Sequence, residues 1–271
     1  MKLKLSSLFF LIIPAITNAQ KLPSVQTAGF RAPQNVKIDG AAGDWDNSFQ
    51  AHNSAVDLLY TIANDDDNLY LLARATDQDI VNRVTNGGVS LAIYKSGKKN
   101  DKDKIVITYP LSGTTGYMYF NFRGRKGSIP DTSRRALDSV MITSNKKLDK
   151  NVKYIGTTGI AGLDSTISVY NENGIKAAGR FNLQKEYTLE VAIPLKLLGL
   201  SAEKATKFTY NLIVNGSASM RNITMGPLMN MDGTPATGKM AEDFAAGIAK
   251  VQAQMSASTD CWGEYTLAKR P

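Results

Sequence analysis

The sequence predicts an all-β protein, an antiparallel β-sandwich of jelly-roll type with one α-helix added near its C-terminal end. The first observation is that about ten short segments alternate between apolar and polar residues with a period of two, as half-buried strands do. The second is that Gly, Asn and Asp separate many of these segments, as in antiparallel turns. No Pro/Gly/Ser-rich linker divides the chain, so residues 20–271 are predicted to form a single domain.

The candidate strands differ in how their apolar residues are arranged. The segment at 68–77 is apolar on both faces at first, which is typical of a central strand. In the segment at 186–194, Leu189 and Val191 face one way and Glu190 faces the other. In chain order, the candidate strands are residues 57–65, 68–77, 89–96, 103–111, 116–124, 165–174, 174–182, 186–194, 207–217 and 262–269.

The clearest helix is predicted at 239–255. Its apolar residues recur at helical spacing, with charged and Gln residues on the other face, and they are Met240, Phe244, Ile248, Val251 and Met255. If this stripe is exposed it indicates a partner, and if it packs on the sandwich the helix is a lid. The segment at 194–203 is predicted to contain one helical turn, and the segment at 132–148 favours a loop with a short helix.

The N-terminal 19 residues are predicted to be a secretory signal peptide. Lys2 and Lys4 precede an apolar run that is too short to span a bilayer, and small residues follow it up to Ala19. No later run of about 20 apolar residues is present, so no membrane span is predicted. We therefore expect a secreted or periplasmic protein that is cleaved after Ala19.

Composition argues against several classes of function. The net charge is +8, but the positive residues are scattered except at 95–104. In that segment Lys and Asp alternate as in a solvated hairpin tip, so no nucleic-acid partner is expected.

Cys261 is the one cysteine, so an internal disulfide is impossible and a buried thiol is expected. His52 is the one histidine and has no nucleophile signature near it. The glutamates stand in no hydrolase motif, so an enzyme is not expected.

A series of short motifs suggests a family. In order they are Ile-Asp-Gly at 38–40, Asp-Trp-Asp at 44–46, Asn-Leu-Tyr-Leu at 68–71, Glu-Val-Ala-Ile-Pro at 190–194 and Trp-Gly at 262–263. Together they resemble the family 9 carbohydrate-binding modules and the wider group of DOMON-like β-sandwiches. The resemblance implies non-catalytic recognition of a glycan or another polar ligand, and it raises the prospect of a structural calcium ion.

The resemblance also implies that a pair of tryptophans would clamp the sugar. This chain has only Trp45 and Trp262, and both match structural positions of the pattern, where Trp45 would pack under the sandwich as a plug. The clamp is therefore not visible in this sequence.

The segment at 116–124 and the residue after it offer a substitute surface. The alternation places aromatic, amide and guanidinium groups on one face, and they are Tyr117, Tyr119, Asn121, Arg123 and Arg125. Met118, Phe120 and Phe122 would enter the core. The first face is predicted to contact the glycan, and the alternative interpretation is a solvent-facing strand with ordinary cross-strand pairs.

Two further groups of residues leave alternatives open. Asp65, Asp66 and Asp67 offer hard oxygen ligands for calcium, or they cap backbone amides in a plain turn. Four methionines at 220–231 and His52 suggest a DOMON-type haem or redox carrier, although such methionines more often fill an irregular core. The remaining alternative is a structural or protein-interaction domain of the cell envelope that does not bind sugar.

Overall fold

The computed structural model describes residues 21–100, 102–111, 118–122, 133–221 and 226–270. Within these ranges two antiparallel sheets pack face to face, so the predicted β-sandwich is confirmed. The predicted signal peptide lies outside the described residues and stays a prediction.

The first sheet has five strands, which are β1 (Ala51–Asn53), β2 (Leu58–Asn64), β3 (Asn68–Ala75), β8 (Lys176–Phe181) and β9 (Tyr187–Pro194). Their order in space is β1-β2-β3-β9-β8. β3 lies in the middle, as its apolar residues on both faces predict, and β8 forms one edge.

The second sheet has six strands, which are β4 (Val89–Tyr94), β5 (Ile105–Leu111), β6 (Tyr154–Thr158), β7 (Thr166–Ser168), β10 (Lys207–Val214) and β11 (Thr259–Thr266). Their order in space is β11-β10-β4-β5-β6-β7, and the described residues of the lysine-rich segment between β4 and β5, 95–100 and 102–104, are exposed to solvent as predicted.

In the described part of the chain, five α-helices accompany the sheets, which are α1 (Gln78–Gly87), α2 (Arg134–Asn151), α3 (Leu195–Leu198), α4 (Ala218–Arg221) and α5 (Lys239–Ser256), and a 3-10 turn covers Ala42–Trp45. α3 and α5 match the sequence prediction. α2 runs for 18 residues where a loop with a short helix was expected, and Ser133 caps it by accepting a hydrogen bond from the Ala136 amide. α1 was not predicted. No helix in the described part of the chain is both long enough and apolar enough to cross a membrane.

The main core lies between the sheets. Tyr60 and Tyr210 meet there from opposite sheets with their hydroxyls 3.0 Å apart, and Leu189 and Val191 point into it as predicted. The Cys261 thiol is buried at the same level, which confirms the expectation for this residue.

A smaller apolar cluster lies on the outer face of the five-stranded sheet. Trp45 is buried there, with its ring centre 5.8 Å from that of Tyr70. Its indole N–H donates to the buried carboxylate of Glu190 at 2.7 Å. The prediction that Trp45 plugs the sandwich is confirmed, and Glu190 does face away from the main core.

The candidate strand at 116–124 requires a correction, because its described residues 118–122 belong to neither sheet. They run extended beside α1, whose Gln78, Asn82 and Asn86 stand four residues apart on one helical face. The Asn86 amide accepts from the Met118 N–H at 2.6 Å and donates to the Met118 carbonyl at 2.8 Å. These side chains give the segment the hydrogen bonds that a neighbouring strand would otherwise give.

The same arrangement repeats along the segment. Asn82 accepts from the Phe120 N–H at 3.0 Å and donates to the Phe120 carbonyl at 3.2 Å. Gln78 accepts from the Phe122 N–H at 3.1 Å and donates to the Phe120 carbonyl at 2.8 Å. Helix α1 therefore holds an extended segment by a ladder of side-chain amides.

Candidate functional site

The predicted glycan-contact face is only partly within the described residues. Tyr119 is 58% exposed and Asn121 is exposed, while Met118, Phe120 and Phe122 are buried, so the alternation holds over these five residues. Tyr117, Arg123 and Arg125 lie outside the described residues. Whether the five predicted ligand residues form one surface therefore stays a prediction.

The acidic turn at 65–67 has the geometry of a capped turn. Asp65 accepts hydrogen bonds from the Asp67 and Asn68 amides at 2.8 and 2.6 Å, and from the Tyr70 hydroxyl at 2.6 Å. Although burial opposes it, this hydrogen bonding lowers the pKa of the Asp65 carboxyl. Asp66 pairs with Arg31 and Arg270 instead.

Among the described residues no three acidic, His or Cys side chains converge as metal ligands would. The geometry at 65–67 favours the turn interpretation, and calcium on Asp65, Asp66 and Asp67 stays an untested prediction.

The residues considered for haem are spread over different elements. His52 lies on β1 with its imidazole 3.3 Å from the Asp57 carboxylate at the surface. Met220 is buried in α4, Met229 and Met231 are exposed, and Met225 lies outside the described residues. Neither of the two grooves described below is lined by His52 or by a described methionine.

Trp262 does not enter the core. It is half-buried on the outer face of the six-stranded sheet, with its ring centre 5.1 Å from that of Tyr94. The Lys99 ammonium, which comes from the β4–β5 hairpin, lies 5.0 Å from the centre of the same ring. This indole is thus already packed by a cation and an aromatic ring of its own chain.

A groove of about 880 Å³ opens beside β8, at the edge of the five-stranded sheet. Its walls come from the end of α2, the turn after β7 and β8 itself. The polar and aromatic residues that line it are Asp39, Tyr109, Asp149, Lys153, Tyr170, Asn171, Lys176, Arg180 and Tyr187. This groove, here called the edge groove, combines aromatic surface with groups that form hydrogen bonds.

Tyr170 forms an aromatic wall of the edge groove and is 77% exposed. The Lys153 ammonium donates to its hydroxyl at 3.3 Å and lies 5.4 Å from the ring centre. The next residue, Asn171, fixes the turn by donating to the carbonyls of Ser168 and Ile175, both at 2.8 Å. The ring is therefore held in place while much of its surface faces solvent.

The outer edge of β8 exposes backbone groups to the groove. The Phe181 N–H donates to the Asn145 side-chain amide at 2.8 Å, and the Phe181 carbonyl accepts from the same amide at 3.1 Å, so both groups point away from β9. Because backbone direction alternates in an antiparallel strand, the N–H and C=O groups of Ala177 and Gly179 point the same way. We find no described residue bonded to these four groups.

Two buried tyrosines of the main core, Tyr109 and Tyr187, lie behind the inner wall of the groove. Tyr187 is buried, and its hydroxyl has no hydrogen-bond partner among the described residues. It reaches Gly179, where a Cβ atom would lie only 2.0 Å from the hydroxyl oxygen. Burial raises the pKa of Tyr187 and of Tyr109, so both keep their protons and can donate.

Charged groups complete the groove. Arg180 and Asp149 form a half-exposed ion pair with an N–O distance of 3.4 Å across the opening. With Lys153, Lys176 and Asp39, the lining presents three cations and two anions, alongside the donors and acceptors of the backbone. Such mixed polarity suits a neutral ligand with many hydroxyls better than a strongly charged one.

A second groove of about 860 Å³ shares Gly174 and Lys176 with the edge groove. Its described lining includes Asp66, Asp67, Glu172 and Arg270, and it contains no aromatic residue. Since a flat apolar ring is what a sugar face packs on, the edge groove is the better candidate.

No family model matches the chain, and no curated protein matches it. Among solved structures, the chain is similar to a carbohydrate binding module family 9 from Caldicellulosiruptor kristjanssonii in complex with glucose. The two are 10% identical, the match covers 89% of this chain and 96% of that chain, and the TM-score is 0.39. That module belongs to the family that the sequence motifs resemble, but at this level the match does not identify any ligand-contacting side chain.

Sequence reasoning missed the edge groove. The residue that could have indicated the groove is Tyr170, which directly precedes the Asn-Glu-Asn-Gly turn at 171–174. The sequence analysis places it inside the candidate strand at 165–174. The observed β7 ends at Ser168, so Tyr170 stands in the turn rather than in the sheet. Because turns lie at the surface, an aromatic residue in a turn is more often exposed than one in a strand. A turn assignment would therefore have indicated Tyr170 as a candidate binding residue.

Proposed function

We propose that this protein is an exported, non-catalytic module that binds a glycan in the edge groove. The observation that carries the proposal is the exposed Tyr170 ring in a groove whose lining also offers unbonded backbone groups of β8. An aromatic face and convergent polar groups are the two things that recognition of a sugar ring requires.

The polar groups match sugar chemistry because each sugar hydroxyl is both a donor and an acceptor. The backbone of Ala177 and Gly179 supplies two donors and two acceptors on one strand edge. Lys153 and the Arg180–Asp149 pair add groups of both kinds. The volume lies in the range of roughly 300–1,000 Å³ that small-ligand sites occupy, which is enough for one or two sugar rings.

We expect the Tyr170→Ala protein to bind its sugar at least about tenfold more weakly than the wild type, a loss of about 1.4 kcal/mol, because the stacking surface is removed. A glycan array of neutral and acidic oligosaccharides identifies the ligand, and calorimetric titration measures the affinity. The matched control is Tyr154→Ala, since Tyr154 is also an exposed tyrosine, lies on β6 and does not line the groove.

The same titration separates the edge groove from the face predicted by sequence. If Tyr119→Ala abolishes binding and Tyr170→Ala does not, the glycan lies on the face of Tyr119 and Asn121. If no sugar on the array binds, or if both variants bind as the wild type does, glycan recognition at these two places is refuted.

Export is part of the proposal and rests on the N-terminal sequence. Expression of the full chain in a bacterium with a secretion pathway should give a mature protein that begins at Gln20. The intact mass of the protein in the periplasm or medium measures this directly. A cytoplasmic protein that retains residues 1–19 would argue against it.

A second candidate function is supported by α5. Of its 18 residues only Met255 is buried, and Phe244 is 40% exposed. Phe244 is exposed while Ile248 is half-buried, so part of the apolar stripe is available to a partner. This favours a protein-interaction role in the cell envelope, either beside sugar binding or instead of it.

A further inference from the structure

The apolar residues of α5 form an exposed stripe. Met240 is 62% exposed, Phe244 is 40% exposed and Val251 is 51% exposed, and Gly247 lies between the last two. The intervals of four, three and four residues are those of a coiled-coil seam. These four residues are here called the α5 stripe.

The α5 stripe is separate from the face of the helix that contacts the rest of the chain. Ala241, Ile248 and Gln252 are half-buried and lie on that inner face, and α5 packs mainly on α4 and α1. The stripe is thus left open along a helix of 18 residues, which is about 27 Å long at 1.5 Å per residue.

A hollow lies in the middle of the stripe. It has a volume of about 460 Å³ and is lined by Phe244, Gly247, Ile248 and Val251, together with Met220 from α4. A Cβ atom at Gly247 would meet no atom within 4 Å, so the hollow is open to the outside. Asp243 and Gln252 complete a lining that is otherwise apolar, which suits an aromatic side chain.

We propose that two copies of this chain associate through the α5 stripe as an antiparallel, two-fold symmetric pair. With the axis between residues 245 and 246, Phe244 of each copy faces Gly247 of the other and fills its hollow. Met240 then faces Val251 of the second copy. In each contact a larger side chain meets a smaller one, Phe244 against Gly247 and Met240 against Val251. The same surface of the two copies therefore fits together, as a two-fold symmetric interface requires.

The charges beside the stripe select the antiparallel direction. Asp243 and Lys250 lie on the same flank of the stripe, seven residues apart. In the antiparallel pair, Asp243 of each copy lies opposite Lys250 of the other, which gives two ion pairs. A parallel pair would instead set Phe244 against Phe244 and Gly247 against Gly247, which leaves the hollows unfilled.

The test is sedimentation equilibrium of residues 20–271 from about 1 µM to about 1 mM. We expect a reversible monomer–dimer equilibrium. Phe244→Ala should weaken dimerisation at least about tenfold, because a central apolar anchor is lost. Gly247→Leu should weaken it by a similar factor because it fills the hollow. Alanine and leucine are good helix formers, so α5 itself is retained, which circular dichroism verifies.

A charge exchange tests the direction. Asp243→Lys and Lys250→Asp alone should each weaken the dimer roughly threefold, and the double exchange should restore it to within roughly twofold. Glu242→Lys is the matched control, because it makes the same change of charge on the neighbouring residue, outside the stripe. A protein that stays monomeric up to about 1 mM, a dimer unaffected by Phe244→Ala, or a double exchange that restores nothing would each overturn the proposal.

Discussion

Replacing Glu190 with Ala should lower the free energy of unfolding by about 3–5 kcal/mol, which is a large part of the stability of a typical domain. Glu190 is 1% exposed and accepts hydrogen bonds from the Trp45 indole at 2.7 Å, the Gly40 amide at 2.7 Å and the Asp39 amide at 3.0 Å. Alanine leaves all three donors without an acceptor and opens a cavity beneath the indole. Urea unfolding followed by tryptophan fluorescence measures the loss.

The matched control is Glu264→Ala on β11. Glu264 also lies in a strand, but it is exposed and pairs with Lys207 at 2.8 Å on the surface. Its removal should change stability by less than about 1 kcal/mol. If the Glu190 variant loses no more than the Glu264 variant does, the carboxylate does not hold the Trp45 plug, and the account of the smaller apolar cluster fails.

The same carboxylate gives the protein a pH dependence of known sign. Burial raises the pKa of Glu190 above its ordinary 4.5, and the three donors only partly offset it. The folded state therefore holds the proton more tightly than the unfolded state. This contribution to stability is complete below the unfolded pKa and is lost as the pH rises through the folded pKa.

The neutral variant Glu190→Gln isolates this effect because its side chain has the same size and does not titrate. We expect the free energy of unfolding of the wild type, relative to this variant, to increase as the pH falls from neutrality toward 4.5. The comparison is made by urea unfolding at several pH values. A difference that decreases on acidification would mean that the three donors outweigh burial and the pKa is lowered.

Much of the sandwich follows from local patterns in the sequence. β3 and β9 could be predicted because both faces of β3 and the inner face of β9 are apolar, which leaves a periodic pattern in the chain. α5 could be predicted for the same reason. The burial of Trp45 could be predicted because the motifs around it resemble a known family. In each case the information lies within a window of about 15 residues.

The element α1 could not be predicted in this way. Asn is a weak helix former, and the Asn-Gly-Gly sequence at 86–88 is typical of a turn, which in the structure is the end of the helix. The buried amides face a segment more than thirty residues later in the chain. The period of two at 116–124 agrees with the alternating burial of the described residues 118–122, but it cannot show that the partner is a helix.

The edge groove could not be predicted from the sequence for a related reason. α2, the turn that holds Tyr170 and the strand β8 are separate in sequence, and each has an ordinary composition. The open backbone edge at Ala177 and Gly179 depends on where Asn145 and Asn171 place their amides. Such contacts leave no periodic pattern in the sequence. The residues of the groove are therefore recognised as neighbours only in the folded structure.

The amide ladder gives the second large prediction. The double variant Asn82→Ala and Asn86→Ala should lose about 4 kcal/mol of stability, because each amide makes two hydrogen bonds to buried backbone and each unmade bond costs about 1–3 kcal/mol before relaxation. The two single variants should sum to more than the double variant, since once the segment at 118–122 is released the second amide has less to hold. Urea unfolding of all three proteins measures this coupling.

Asn151→Ala is the matched control for the ladder. It makes the same substitution in a helix, but its amide donates only within α2, to the Lys147 carbonyl at 2.7 Å. Because alanine is the better helix former, this variant should be neutral or slightly more stable. If the double variant is no less stable than this control, then the segment at 118–122 is held by the packing of Phe120 and Phe122 against Phe181, and the helix only lies beside it.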